Sequence, residues 1–258
     1  TIGSIDLRGL AVSIPFYKNL LDKIGVEMQI VRVGTFKSAV EPYILTEISE
    51  ANKLQYETFI NNIWGNMADD IFSSRGIKPW RLNEMTDSII FLQETKYLVT
   101  NNLVDGSCYK HQFDDMLKMA VHGNTDTDVN FISPGDMASE QPAGSSNNTI
   151  AIVYAVGEIF DGGDDGINSA ELSETILELA DDEDVAGVVL RVNSPGGSAY
   201  GSEQIWEALQ KVKEAGKPLA VSMGDMAASG GYYISCGADR IFAEPLTLTG
   251  SIGVFGMI

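Results

Sequence analysis

Ser229 is the residue best placed to do chemistry. It lies in Asp225-Met226-Ala227-Ala228-Ser229-Gly230-Gly231-Tyr232-Tyr233, after the apolar run Pro218 to Met223. The run reads as a buried strand, and Tyr232 to Gly237 reads as the first turns of a helix. A serine at such a turn, flanked by residues with little or no side chain, has an exposed hydroxyl. The next backbone N–H is free, and a substrate chain can approach closely. The same residues also suit an ordinary helix N-cap. A second glycine element, Asn193-Ser194-Pro195-Gly196-Gly197, ends the preceding apolar strand. Its N–H groups could point into a cleft, as in an oxyanion hole, or could simply make a βα turn. Placed on consecutive βα units, the two elements open at the same sheet edge. A nucleophile beside an anion-stabilising loop is the geometry of acyl transfer.

Ser229 needs a base. The only histidines, His111 and His122, lie outside the βα region, so a Ser-His-Asp triad is poorly supported. A Ser-Lys dyad would serve instead, and Lys37 stands out among the lysines. Phe36, Ala39 and Val40 flank it, and Gly34 and Pro42 constrain its backbone. Glu41 is the nearest acid in sequence, and Pro42 and the following turn should aim it away from the amine.

The elements that position these residues differ along the chain. Residues 1–121 read as mostly helical. A helix is expected over Ile14 to Ile24, a strand over Glu27 to Val33, and irregular chain over Gly34 to Pro42. A long amphipathic helix should cover Ser49 to Ser74, with shorter helices over Ile77 to Thr100 and Gln112 to Val121. Residues 122–148 are polar and turn-rich, the signature of a linker. From residue 149 regular βα alternation begins. Strands are expected over Thr149 to Val156, Val185 to Val192, Leu219 to Met223 and Arg240 to Ala243. The helices between them should cover Ser169 to Asp181, Gly201 to Ala215 and Ser229 to Gly237. Continuous apolar strands separated by helices predict an α/β fold with a parallel sheet covered on both faces.

Composition narrows the function classes. The 258 residues are 44% hydrophobic and 21% charged, as in a globular protein. Net charge is −19, from 36 acidic and 17 basic residues. Such a surface repels phosphate backbones and argues against nucleic-acid binding. The two cysteines, Cys108 and Cys236, form no metal or redox pattern, and Cys236 should be a core residue. No apolar run is long enough to span a bilayer, and no signal peptide opens the chain. The sequence starts at Thr1 and reads as a piece of a longer protein. Gly3 to Leu10 and Gly250 to Met257 share Gly, Ser, Ile and a second Gly in register, as two copies of a tandem repeat would.

Four motifs together carry a family resemblance. Asn193 to Gly197, Met226 to Tyr233, Thr249-Gly250-Ser251-Ile252-Gly253-Val254 and Arg32 to Pro42 resemble the bacterial signal peptide peptidase A family, also called protease IV. The likeness runs the whole length of the chain. It is nearest to the long form with two fused homologous halves, the lysine in the first and the serine in the second.

The resemblance implies a Clp protease/crotonase-like α/β fold with additional helices. Residues 1–121 would be the C-terminal part of the first repeat, 122–148 a linker and 149–258 the N-terminal part of the second. It implies a serine endopeptidase with Ser229 as nucleophile and Lys37 as general base. Gly196 and Gly230 would supply oxyanion N–H groups, and Ser251 would orient the lysine amine. No metal or other cofactor is implied. The implied substrates are remnant signal peptides and other extended apolar peptides. The implied enzyme is a homo-oligomer on the periplasmic side of the bacterial inner membrane, anchored by a segment absent from this chain. Two other readings are a crotonase-like acyl-CoA enzyme, which needs no serine nucleophile, and a non-catalytic assembly fragment.

Overall fold

A computed structural model describes residues 5–139, 148–163 and 165–258. In chain order the elements are α1 (Lys18–Lys23), β1 (Ile30–Arg32), α2 (Glu41–Ile44), α3 (Glu50–Arg75), α4 (Pro79–Asp87), α5 (Thr95–Thr100), α6 (Lys110–His122) and α7 (Pro134–Ser139). They continue as β2 (Thr149–Val156), β3 (Ile159–Phe160), β4 (Ile167–Asn168), α8 (Ser169–Asp181), β5 (Val185–Ser194), α9 (Ala199–Glu214), β6 (Leu219–Ala228), α10 (Gly230–Ser235), β7 (Arg240–Phe242), β8 (Leu248–Gly250) and β9 (Phe255–Met257). The chain forms two compact units. One contains residues 1–11 and 64–145, the other residues 12–63 and 146–258. The helical stretch 1–121 is thus divided between them. Residues 12–63, which carry Lys37, belong with the βα layer.

The βα layer is a mixed α/β arrangement built on a parallel sheet. The strand order is β2-β5-β6-β7, and β8 pairs with the far end of β6. Every pairing in this sheet is parallel. The strands form around apolar runs, Ile150 to Val156 in β2, Val185 to Leu190 in β5 and Leu219 to Val221 in β6. The helices start where a cap is available. Asn168 Oδ1 accepts the N–H groups of Ala170 and Glu171 at the start of α8, and Ser198 Oγ accepts that of Gly201 at the start of α9. The core lies between sheet and helices. Val153, Leu190, Val192 and Val221 pack with Ile176 of α8, Ile205 and Leu209 of α9 and Ile234 of α10. Burying each such side chain contributes roughly 2 kcal/mol.

The expectation of cover on both faces fails within this unit. Ile150, Ile152, Tyr154 and Val156, alternate residues of β2, are each more than half exposed. Their neighbours Val153 and Ala155 are buried against the helices. A run apolar at every position is therefore not proof of burial on both sides.

Other expectations shift locally. The strand expected over Glu27 to Val33 shortens to β1, where Ile30 to Arg32 pair antiparallel with Met257 to Phe255 of β9, and Gln29 continues the ladder by exchanging two backbone hydrogen bonds with Ile258. The irregular chain after Gly34 holds the short helix α2, with Pro42 in its first turn, where the missing N–H costs nothing. The stretch 122–148 contains α7, and residues 140–147 lie outside the described residues. Cys236 is exposed rather than core. It terminates α10, where its thiol points back to the Tyr233 carbonyl. Gly3 and Ser4 of the expected repeat also lie outside the described residues.

The other unit packs Leu82, Met85, Ile90 and Leu98 against Ala68 and Ile77. Gly65 sits inside α3, and a Cβ there would meet nothing within 4 Å. Gly65→Ala should stabilise this unit by about 0.5–1 kcal/mol, since alanine loses less backbone freedom than glycine in a helix. Thermal denaturation followed by circular dichroism should show a rise of roughly 2–4 °C for each kcal/mol gained.

Candidate active site

The site gathers where β5 and β6 end. Their register shifts between Val192, opposite Met223, and Ser194, opposite Ala227. The extra residues make a bulge in β6, and Asn193 Oδ1 fixes it by accepting the Met226 N–H at 3.0 Å. The bulge re-aims the last residues of β6, so that the chain enters α10 through a sharp turn at Ser229. That serine has φ 54° and ψ −117°, a backbone conformation that L-residues rarely adopt. Such strain persists only where the surroundings impose it. Here the Ser229 N–H donates to the Gly250 carbonyl at 2.9 Å, and β8 holds Ala227 and Ala228 alongside. The Ser229 hydroxyl makes no capping bond to α10. Ser229 is the N-cap of α10 by position, but its hydroxyl does not cap the helix and is left half-buried and available.

The glycine loop after β5 lies against this turn. A Cβ on Gly196, whose φ is +96°, would fall 2.5 Å from the Gly230 nitrogen and 2.8 Å from the Ser229 Cβ. Gly197 is equally confined, since a Cβ there would fall 2.2 Å from the Ile159 oxygen. The loop and the serine turn are thus in backbone contact. The two expected oxyanion donors differ in state. Gly230 opens α10, where first-turn N–H groups have no partner within the helix. The Gly196 N–H donates to Ser194 Oγ at 3.1 Å.

Lys37 arrives from the other side. The antiparallel pairing of β1 with β9 lays the loop after β1 beside the turn that precedes β9. Lys37 Nζ donates to the Gly253 carbonyl at 2.7 Å and to the Ser251 carbonyl at 3.3 Å, and lies 6.0 Å from the centre of the Phe255 ring. Ser251 therefore meets the amine through its backbone oxygen rather than its hydroxyl. Among the described residues no hydrogen bond joins Lys37 Nζ directly to Ser229. The segment Gly250 to Gly253 links them, holding the serine N–H at one end and the amine at the other.

The apolar surroundings of Lys37 are partial, because Val40 is fully buried while Phe36 is 56% exposed. Glu41 is directed away from the amine. Its carboxylate accepts the Ser49 hydroxyl at 2.6 Å and the Asn52 side-chain N–H at 3.0 Å. A cleft of about 710 Å³ opens beside the loop, lined by Phe36, Leu54, Phe59, Leu248 and Ser251. Next to the serine turn, the Tyr233 hydroxyl is hydrogen-bonded to the Glu203 carboxylate, which raises its pKa above the usual phenol value.

Sequence reasoning missed Arg32, Gln55 and the β1–β9 pairing that delivers Lys37. Arg32 donates to the Lys37 carbonyl at 2.8 Å, and Gln55 donates to that of Phe36 at 3.1 Å. The available signal was an arginine at the end of a β-branched run just before the lysine loop. Among the described residues no group of three or more His, Cys, Asp or Glu could hold a metal ion, and no helix is long and apolar enough to cross a membrane.

Comparison with known proteins agrees with these motifs. The chain is 39% identical to Protease 4 of Salmonella typhi over 265 aligned positions, covering 99% of this chain and 43% of that protein. It is 36% identical to Protease 4 of Haemophilus influenzae, covering 100% of this chain and 44% of that protein. The chain thus spans less than half the length of these relatives. Among solved structures it matches ClpP1 from Listeria monocytogenes over 34% of this chain and 46% of that one, with 22% identity and a TM-score of 0.29. The model of peptidase family S49 matches residues 1–121 and 211–258, which take in Lys37, Ser229 and Ser251, and the chain belongs to that family.

Proposed function

We propose that this chain carries the Ser-Lys centre of a serine endopeptidase that degrades remnant signal peptides after their release. The observation that carries this reading is the shared turn. A serine with a strained backbone and an uncommitted hydroxyl hangs from the Gly250 carbonyl, and the Lys37 amine hangs from Ser251 and Gly253. A neutral amine has two N–H groups and one lone pair. The two carbonyls take both N–H groups and leave the lone pair for the Ser229 proton.

The reaction follows in two halves. As Ser229 Oγ bonds to the peptide carbonyl carbon, its proton passes to Lys37 Nζ. The resulting oxyanion accepts the free N–H of Gly230 and that of Gly196, which exchanges Ser194 Oγ for it. Each donor contributes about 3 kcal/mol. The protonated amine then gives its proton to the leaving nitrogen as the C–N bond breaks. Water, deprotonated by the same amine, hydrolyses the ester and restores Ser229.

The cleft lined by Phe36, Leu54, Phe59 and Leu248 suits an apolar side chain, and the glycine loop suits an extended peptide laid against it. Remnant signal peptides offer both features. Within this proposal the full-length enzyme is a homo-oligomer on the periplasmic side of the bacterial inner membrane, held by a segment outside this sequence. No metal or nucleotide takes part.

The test is covalent labelling of the full-length protein. An acyl-type serine probe should modify Ser229 and leave Ser229→Ala unmodified, and that variant should lose peptide hydrolysis by roughly 10⁴–10⁶-fold. A fully active Ser229→Ala enzyme would sink the proposal, and thioester turnover without labelling would point to acyl-CoA chemistry.

A further inference from the structure

Glu41 is 1% exposed, and a buried carboxylate is costly unless paired and hydrogen-bonded. Its oxygens accept Ser49 Oγ–H at 2.6 Å, Asn52 Nδ2–H at 3.0 Å and the Ser49 N–H at 3.3 Å, all at the start of α3. Its fourth neighbour is Arg32, with Nη1 at 3.7 Å. The same Nη1 donates to the Lys37 carbonyl at 2.8 Å. Arg32 also pairs with Phe255 in the β1–β9 ladder, so it is fixed to the strand that follows the amine's acceptors, Ser251 O and Gly253 O. A continuous chain of polar contacts therefore runs from α3 through Glu41 and Arg32 to the backbone of Lys37.

Capping α3 does not require this carboxylate. Ser49 Oγ already accepts the Asn52 N–H at 3.2 Å, which is the N-cap bond. Gln55 of the same helix holds Phe36 O and Ser38 Oγ. The loop 36–38 is thus gripped at successive positions from α3, and the grip on Lys37 itself is the one that passes through a charge.

We infer that Glu41, acting through Arg32, is a positioning residue for the Lys37 amine, an inference that rests on the reading of Lys37 as the base. Its role is to keep the backbone of Lys37 in place while Ser251 and Gly253 hold the amine. A displacement of about 1 Å at a reacting group costs on the order of 10²-fold in rate.

The experiment uses the full-length protein with a p-nitrophenyl ester and an apolar peptide as substrates. Glu41→Gln keeps the side-chain volume but removes the charge opposite Arg32. It should lower kcat about 10–100-fold with KM changed less than about twofold. Added to Lys37→Ala, it should cause no further loss, since Glu41 works only through that lysine. An equal loss in the Lys37→Ala background would mark a merely structural role and overturn the inference. Wild-type kcat for Glu41→Gln beside an inactive Lys37→Ala would overturn it too, and would leave the base assignment standing. A fully active Lys37→Ala would remove the base reading itself and the inference with it. If Glu41→Gln does not fold by circular dichroism, Arg32→Met decides. It leaves the carboxylate its three other donors and should reproduce the fall in kcat, whereas unchanged kcat overturns the inference.

Discussion

Lys37→Arg should be as inactive as Lys37→Ala, with losses of at least about 10³-fold in kcat on peptide substrates. Arginine keeps a positive charge and length similar to lysine, and its guanidinium could still donate to the Ser251 and Gly253 carbonyls. It has no lone pair to give, because it stays protonated at any working pH. The substitution therefore separates holding a cation at this place from taking a proton there. Ser229→Ala, Lys37→Ala and the double variant should lose nearly the same activity, since the two residues act as one unit. Single-turnover assays on the full-length protein check both statements. Activity surviving in Lys37→Arg would return the search for a base to the histidines.

Much of the layer that carries Ser229 was legible in the residues. β2 and α8 begin and end at the residues expected, and β5 and β6 extend two and five residues beyond the runs that announced them. Those extensions are the informative part. The strands carry on through Asn193-Ser194 and, past the bulge at Gly224-Asp225, through Met226 to Ala228, a mixture that periodicity does not mark as strand. They stay in the sheet because β8 supplies Met226 to Ala228 with a partner, and pairing between distant segments leaves no local signature. The same limit explains Lys37. Its motif could be read from sequence, but the contact with residues 251–253 depends on β1 and β9, three residues each and more than 200 positions apart. Glu41 was legible only as an acid turned away from the amine. Its burial depends on Ser49 and Asn52 reaching back across a turn, which no spacing rule requires. The exposed face of β2 shows the converse: Ile150, Ile152, Tyr154 and Val156 look like core in the sequence, and within this unit nothing covers them.

Gly196→Ala should cost the full-length enzyme both stability and activity. A Cβ at this position would meet the Gly230 nitrogen at 2.5 Å, the Ser229 Cβ at 2.8 Å and the Ala228 oxygen at 2.9 Å. Two of these three are backbone atoms in the turn that strains Ser229, so they have no rotamer by which to move aside. The φ of +96° adds a second penalty, because an L side chain rarely adopts it. Relief requires the glycine loop and the serine turn to separate, and that separation removes an oxyanion donor from the place where charge develops. A loss of about 10²–10³-fold in kcat is expected from the donor alone. The destabilisation should add roughly 2–4 kcal/mol, the range of a steric clash in a packed interior. Gly253→Ala is the control for strain without a clash. Its φ is +108°, but a Cβ there would meet nothing within 4 Å, so its stability cost should stay near 1 kcal/mol. Denaturant unfolding and acylation kinetics on the two variants distinguish the cases. If Gly196→Ala kept wild-type acylation while folded, the loop after β5 would have no part in stabilising the oxyanion.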